Sequence, residues 1–121
     1  MKPEVKNWFE KAKYDLKVAE YNLKGEMLDV AAFYSQQAAE KALKALHIAR
    51  FGALWRVHDL VELARKLNAP PEVVELCAQI NPAYTATRYP DVGDIYEREE
   101  VEAILYASKK VVKWIEGELS S

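Results

Sequence analysis

Arg88 and Tyr89 stand side by side among turn-forming residues, and together they have the chemistry to hold a phosphorylated aromatic ligand. A guanidinium is always charged and forks onto phosphate oxygens, while a neighbouring ring can stack on a base. The same Arg could equally pin its stretch of chain to backbone carbonyls, or to Asp91 or Asp94. Lys41 and Lys44 are the second candidate set, offering positive charge to a nucleotide or to RNA in a groove. Against that, Glu40 precedes Lys44 by four residues, the spacing of an ordinary ion pair along one helix.

The two histidines carry less. His58 sits where a helix would start, half-buried and hydrogen-bonded, and His47 falls on the polar side of a long helix, where solvation is expected. Neither has the carboxylate-and-nucleophile company of a catalytic triad. Cys77, the one cysteine, has no neighbours at zinc-ligand spacing and reads as a small core residue. The acidic residues Asp91, Asp94, Glu97, Glu99, Glu100 and Glu102 have the oxygen ligands for a divalent cation, but complementing a helix dipole explains them more simply. No metal site and no cofactor are expected. With four glycines and no glycine-rich loop before a lysine, no phosphate-binding fingerprint exists.

These side chains need a scaffold, and the apolar spacing specifies a helical one. Val5, Phe9, Ala12, Leu16, Ala19 and Leu23 recur in steps of four and three, predicting a helix from about Pro3 to Leu23. Tyr14, Val18 and Tyr21 make a second stripe on the far side, which should meet another helix or a second copy of the chain. A second helix is predicted from about Leu28 to Arg50, ended by Gly52. Its many alanines allow close backbone approach, and so apolar a helix belongs at the centre. Shorter helices are expected from His58 to Leu67 and from Pro71 to about Ile80. An irregular stretch from Asn81 to Tyr96 follows, then a last helix from about Glu97 to Leu119. A loop of that length in a small domain is commonly functional.

The 121 residues, 50% hydrophobic and 30% charged, suit one globular domain spanning 1–121. A net charge of -2 argues against attachment to nucleic acid by bulk charge alone. The lysines Lys2, Lys6, Lys13, Lys17 and Lys24 share a side of the first helix with Glu10 and Glu20, which favours a solvated mixed surface over an RNA-binding one. No apolar run long enough for a signal peptide or a membrane span is present, so a cytoplasmic protein is expected. The fold class predicted is all-α, an antiparallel bundle of about five helices.

Four segments in order carry a family resemblance: Ala12-Lys13-Tyr14-Asp15-Leu16 with Ala19, Ser35 to Ala45, His58-Asp59-Leu60 with Leu63, and Arg88-Tyr89-Pro90-Asp91. The chain resembles the HEPN domain (higher eukaryotes and prokaryotes nucleotide-binding) over almost its whole length. The resemblance implies an up-down four-helix-bundle core and a homodimer. It also implies action beside a minimal nucleotidyltransferase, often as a toxin–antitoxin pair. Members that cut RNA do so without metal, using an Arg followed four to six residues later by a His. Arg88 matches that Arg, but no His follows it; His47 and His58 both lie upstream. Tyr96 is the candidate substitute, and a phenol with a pKa of about 10 is a poor acid/base at neutral pH.

Three functional readings follow. The first is a dimeric binding module that works with a nucleotidyltransferase and takes a nucleotide or RNA through Arg88, Tyr89, Lys41 and Lys44. Tyr14, Val18, Tyr21, Trp55 and Trp114 are its candidate protein contacts. The second is a metal-independent endoribonuclease using Arg88 and Tyr96. The third is a purely structural helical dimer.

Overall fold

The computed structural model describes residues 1–87 and 96–121. Among the described residues six helices form: α1 (Pro3–Lys24), α2 (Leu28–Phe51), α3 (Leu60–Lys66), α4 (Pro71–Ile80), the single turn α5 (Ala83–Ala86) and α6 (Arg98–Ser120). No strand occurs among the described residues. The long helices keep the limits that the apolar spacing predicts to within a residue or two. The stretch expected to be irregular from Asn81 departs from prediction at its start, where α5 adds one hydrogen-bonded turn after Pro82. Its remainder, residues 88–95, lies outside the described residues.

Local chemistry explains most ends. Pro3 and Pro71 occupy the first turns of α1 and α4, where a missing N–H costs nothing. Asp59 caps α3, its carboxylate accepting from the Val61 and Glu62 amides. Glu97 and Glu100 bond reciprocally to each other's backbone N–H groups at the start of α6. Gly52 ends α2 in the left-handed region, φ 76°, with its N–H on the Ile48 carbonyl.

Long-range contacts fix the arrangement. The turn after α1 returns the chain antiparallel along α2. Arg98, at the start of α6, reaches the Leu23 carbonyl and the Glu26 carboxylate at the end of α1. Further along, Ser108 Oγ donates to the Ser35 carbonyl (2.6 Å), and Glu118 meets Arg50 (2.5 Å). Thus α2 and α6 run in the same direction and α1 runs against both. The α3–α4 segment carries the chain back along the remaining side, with Arg50 also donating to the Leu67 carbonyl at the end of α3. Central α2 is lined by fully buried Ala31, Ala32, Ala38, Ala39, Ala42 and Ala45, with Leu43, Leu46 and Ile48 supplying bulk.

Two glycines should respond in opposite directions. Gly52→Ala forces a Cβ into the left-handed region and should destabilise by about 1 kcal/mol. Gly117→Ala lies within α6, where an added Cβ meets nothing within 4 Å, and should stabilise by about 0.5–1 kcal/mol. Denaturant midpoints of the two variants check this; a shift of the same sign in both would contradict it.

Candidate functional site

The polar residues of α2 form a connected cluster centred on Glu40, whose side chain is 6% exposed. Its Oε1 accepts from Gln36 Nε2 (2.9 Å), and Gln36 Oε1 in turn accepts from Gln37 Nε2 (2.7 Å). Its Oε2 accepts from Lys44 Nζ (2.9 Å) and faces His58 Nδ1 at 3.0 Å. A carboxylate can only accept there, so Nδ1 carries the hydrogen and the other ring nitrogen, Nε2, points away from Glu40. The i,i+4 pair foreseen between Glu40 and Lys44 exists, but both side chains are buried and the histidine joins them.

His58 is 54% exposed, more open than the half-buried position expected, and its ring lies flat against Tyr84 (4.7 Å between centroids, 19° between planes). Next to it, Asn81 ties the site together. Its Nδ2 donates to Asp59 Oδ1 (2.9 Å) and its Oδ1 accepts from the Leu60 amide (2.9 Å). The Asn81 amide is the largest cause holding the Asp59 carboxyl below the usual carboxylate range; the Glu62 and Val61 amides and the Arg65 charge add to it against partial burial. The site therefore has a buried charged floor from α2 and an aromatic rim from the segment before α3 and from α5.

The other singled-out residues are dispersed. Arg88 and Tyr89 lie outside the described residues, as do Asp91 and Asp94. Lys41 does not join Lys44: it bonds Asp15 (2.5 Å), a carboxylate of α1 with no exposure, whose Oδ1 has Lys11 at 3.5 Å. That separation makes an ion pair and not a hydrogen bond, so Oδ1 has no hydrogen-bond partner among the described residues. Both lysines proposed for phosphate already face carboxylates. Tyr96 is half-buried, and burial first, then the nearby Glu100 charge, raise its pKa above the phenol value. A phenol shifted that way stays protonated near neutral pH and is no base there. Glu97 and Glu100 are engaged in capping, Glu102 lies 3.7 Å from Arg98, and no metal-binding cluster occurs among the described residues. Cys77 is buried and its thiol pushed up to about 12, as befits a core residue.

His47 corrects the sequence reading. It is 7% exposed rather than solvated, donates from Nδ1 to the Ala53 carbonyl (2.7 Å) and packs between Phe51 and Trp55. The chain folding back after Gly52 covers what is polar on the isolated helix. The Glu40–His58 bond and the Tyr84 stack were missed for a related reason. Each joins residues far apart in sequence, and the only available signal was the polar stripe of Gln36, Glu40 and Lys44 on an otherwise apolar helix.

Two outcomes follow. Glu40→Ala leaves the Lys44 ammonium buried without its partner and should cost on the order of 3 kcal/mol or more by denaturant unfolding; a loss below about 1 kcal/mol would mean that Lys44 finds solvent. Because the folded-state pKa of Asp59 is depressed, its stabilisation is complete above the unfolded value and fades as pH falls through the folded one. Asn81→Ala removes the main cause, so the Tm gap to wild type should narrow between about pH 7 and about pH 3. A constant gap would assign the whole effect to the Leu60 amide bond.

Comparison with known proteins agrees with this architecture. Residues 5–118 match the HEPN domain family. A Thermus thermophilus crystal structure superposes with a TM-score of 0.88 at 31% identity, covering 96% of this chain and 98% of that one. An archaeal HEPN homologue gives 0.82 at 30% identity, covering 98% of each chain. A HEPN domain protein of Thermotoga maritima gives 0.78 at 29% identity, covering 94% of this chain and 98% of that one. No curated protein matches. The all-helical bundle, the ordered motifs and these relatives lead to one conclusion: the chain belongs to the HEPN domain family.

Proposed function

We propose that the protein is a dimeric HEPN binding module that takes a nucleotide or RNA and works beside a minimal nucleotidyltransferase. The observation that carries the ligand reading is exposed His58 stacked on half-buried Tyr84 above the buried Glu40 cluster. A flat aromatic pair offers a surface for a base, and its floor is held rigid by hydrogen bonds on both carboxylate oxygens. Arg88 follows Tyr84 by four residues in the chain and supplies the phosphate-binding fork in this reading. The nucleotidyltransferase comes from family resemblance alone.

The dimer reading rests on the outer face of α1 and α2. Tyr14 is 56% and Tyr21 72% exposed, with Val18 between them only partly covered. The Asp15–Lys41 bond marks where this face of α1 meets α2. Tyr34 lies two turns before Lys41 on the same side of α2, and Val30 one turn before that. Two exposed tyrosines on α1 beside partly buried Tyr34 and Val30 of α2 form the kind of surface that a second copy covers, with α1 against α1 across a two-fold axis.

Sedimentation equilibrium should show a dimer that Tyr14→Glu converts to monomer, with Tm otherwise held. A wild-type monomer at high concentration removes the dimer. A ligand present at 100 times its Kd stabilises by roughly 2.7 kcal/mol, so ATP or a short RNA should raise Tm by several degrees. No shift with either would remove the nucleotide and RNA reading and leave protein partnership.

A further inference from the structure

The charges of the Glu40 cluster nearly cancel. Glu40 contributes one negative charge and Lys44 one positive charge to the same oxygen, Oε2, and both are buried. Gln36 and Gln37 are neutral donors and acceptors. Asp59 points its Oδ1 at Asn81 and at the first amides of α3, so it serves the helix start. Tyr84 stacks on His58. Among the described residues, His58 is then the group of the rim whose protonation adds a positive charge on the open side. Its Nδ1 is fixed on Glu40, and its Nε2 has no partner among the described residues while the side chain is 54% exposed.

We infer that His58 Nε2 is the atom of this site that meets a phosphate oxygen, and that it does so in the imidazolium form. Glu40 is a positioning residue here, holding the ring so that Nε2 faces outward, with Tyr84 fixing its plane. The inference rests on the reading that the site takes a phosphorylated ligand, and it adds which side chain supplies the charge. Among the described residues, Glu40 of α2 bonds the ring and Tyr84 of α5 stacks on it, while Lys44 stands behind Glu40 on the same oxygen and Asp59, next in the chain, turns its Oδ1 to Asn81 and the α3 amides. Of these side-chain types, an imidazole changes charge between about pH 5 and 8. With the ring neutral, Nε2 is a lone-pair acceptor and repels an oxyanion; with it protonated, it donates a charge-assisted hydrogen bond. The phosphate oxyanion can come from an internal phosphodiester of RNA or from the terminal phosphate of a nucleotide.

The test is binding of the full chain to two probes between about pH 5.5 and about pH 8. One is a short single-stranded RNA with hydroxyl groups at both ends, whose phosphodiesters keep one charge throughout. The other is AMP, which gains negative charge as pH rises, so weakening at higher pH would run against its own charge. Wild-type affinity for at least one probe should fall about tenfold over this range. A slope with the RNA assigns the internal phosphodiester, and a slope with AMP alone assigns the terminal phosphate; either supports the inference. His58→Gln, neutral and on an exposed rim, should bind weakly with no loss of affinity as pH rises. His58→Arg should recover binding, also without a loss at higher pH. Wild-type binding that does not weaken as pH rises, or a weakening that survives His58→Gln, would overturn the role of His58 while leaving the ligand reading intact. Absence of binding to both probes at every pH would remove both.

Discussion

A carboxylate buried to the depth of Glu40 is costly unless the protein's own donors offset its lost hydration, and this requirement organises the middle of the molecule. Gln36 and Lys44 satisfy it from within α2, one turn to either side. His58 completes it from the segment before α3, which places that segment over α2 and brings α5 alongside through the Tyr84 stack. Asn81 closes the arrangement by holding the start of α3 to the end of α4. A pair of buried opposite charges adds little net stability over apolar side chains of equal size, but it penalises any arrangement that leaves one charge alone. The cluster therefore acts on the choice of arrangement more than on its depth.

The remaining packing is apolar and more permissive. Six buried alanines along α2 let α1 and α6 approach closely, and Leu43, Leu46 and Ile48 fill the space between. Polar ties stand at intervals around this core. Ser108 bonds the Ser35 carbonyl in the interior, and Arg50 links α2 to the end of α3 and to α6. These ties were invisible in the sequence, because their partners lie 17, 68 and 73 positions apart.

What could be read from residues alone follows from the range of the interaction that decides it. Helix limits depend on neighbours three or four positions away, so Pro3, Pro71, Asp59 and Gly52 announced them well. Family membership was likewise legible from Ser35 to Ala45 and from His58-Asp59-Leu60. The candidate site was only half legible. His58 was seen as a hydrogen-bonded residue at a helix start, yet its partner lies eighteen positions upstream and its stacking ring twenty-six downstream. His47 was misjudged because a polar stripe on an isolated helix looks like a solvent face until the chain folds back over it. Lys41 and Lys44, three apart and seemingly a pair, turn to different carboxylates, one on α1 and one on α2 itself.

The clamp made by Arg98 on the Leu23 carbonyl and Glu26 fixes where α6 begins. At the other side of residues 88–95, Thr87 is held by its hydroxyl on the Ala83 carbonyl (2.6 Å). The ten positions between Thr87 and Arg98 thus start and finish at two anchored points. Doubling the number of residues between two fixed ends costs only about 0.6 kcal/mol in closure entropy. The bundle can therefore act as a socket, in which the sequence between these two points is lengthened or rewritten while the helices keep their places. That separation gives one scaffold room to carry different chemistries without having to be folded anew for each.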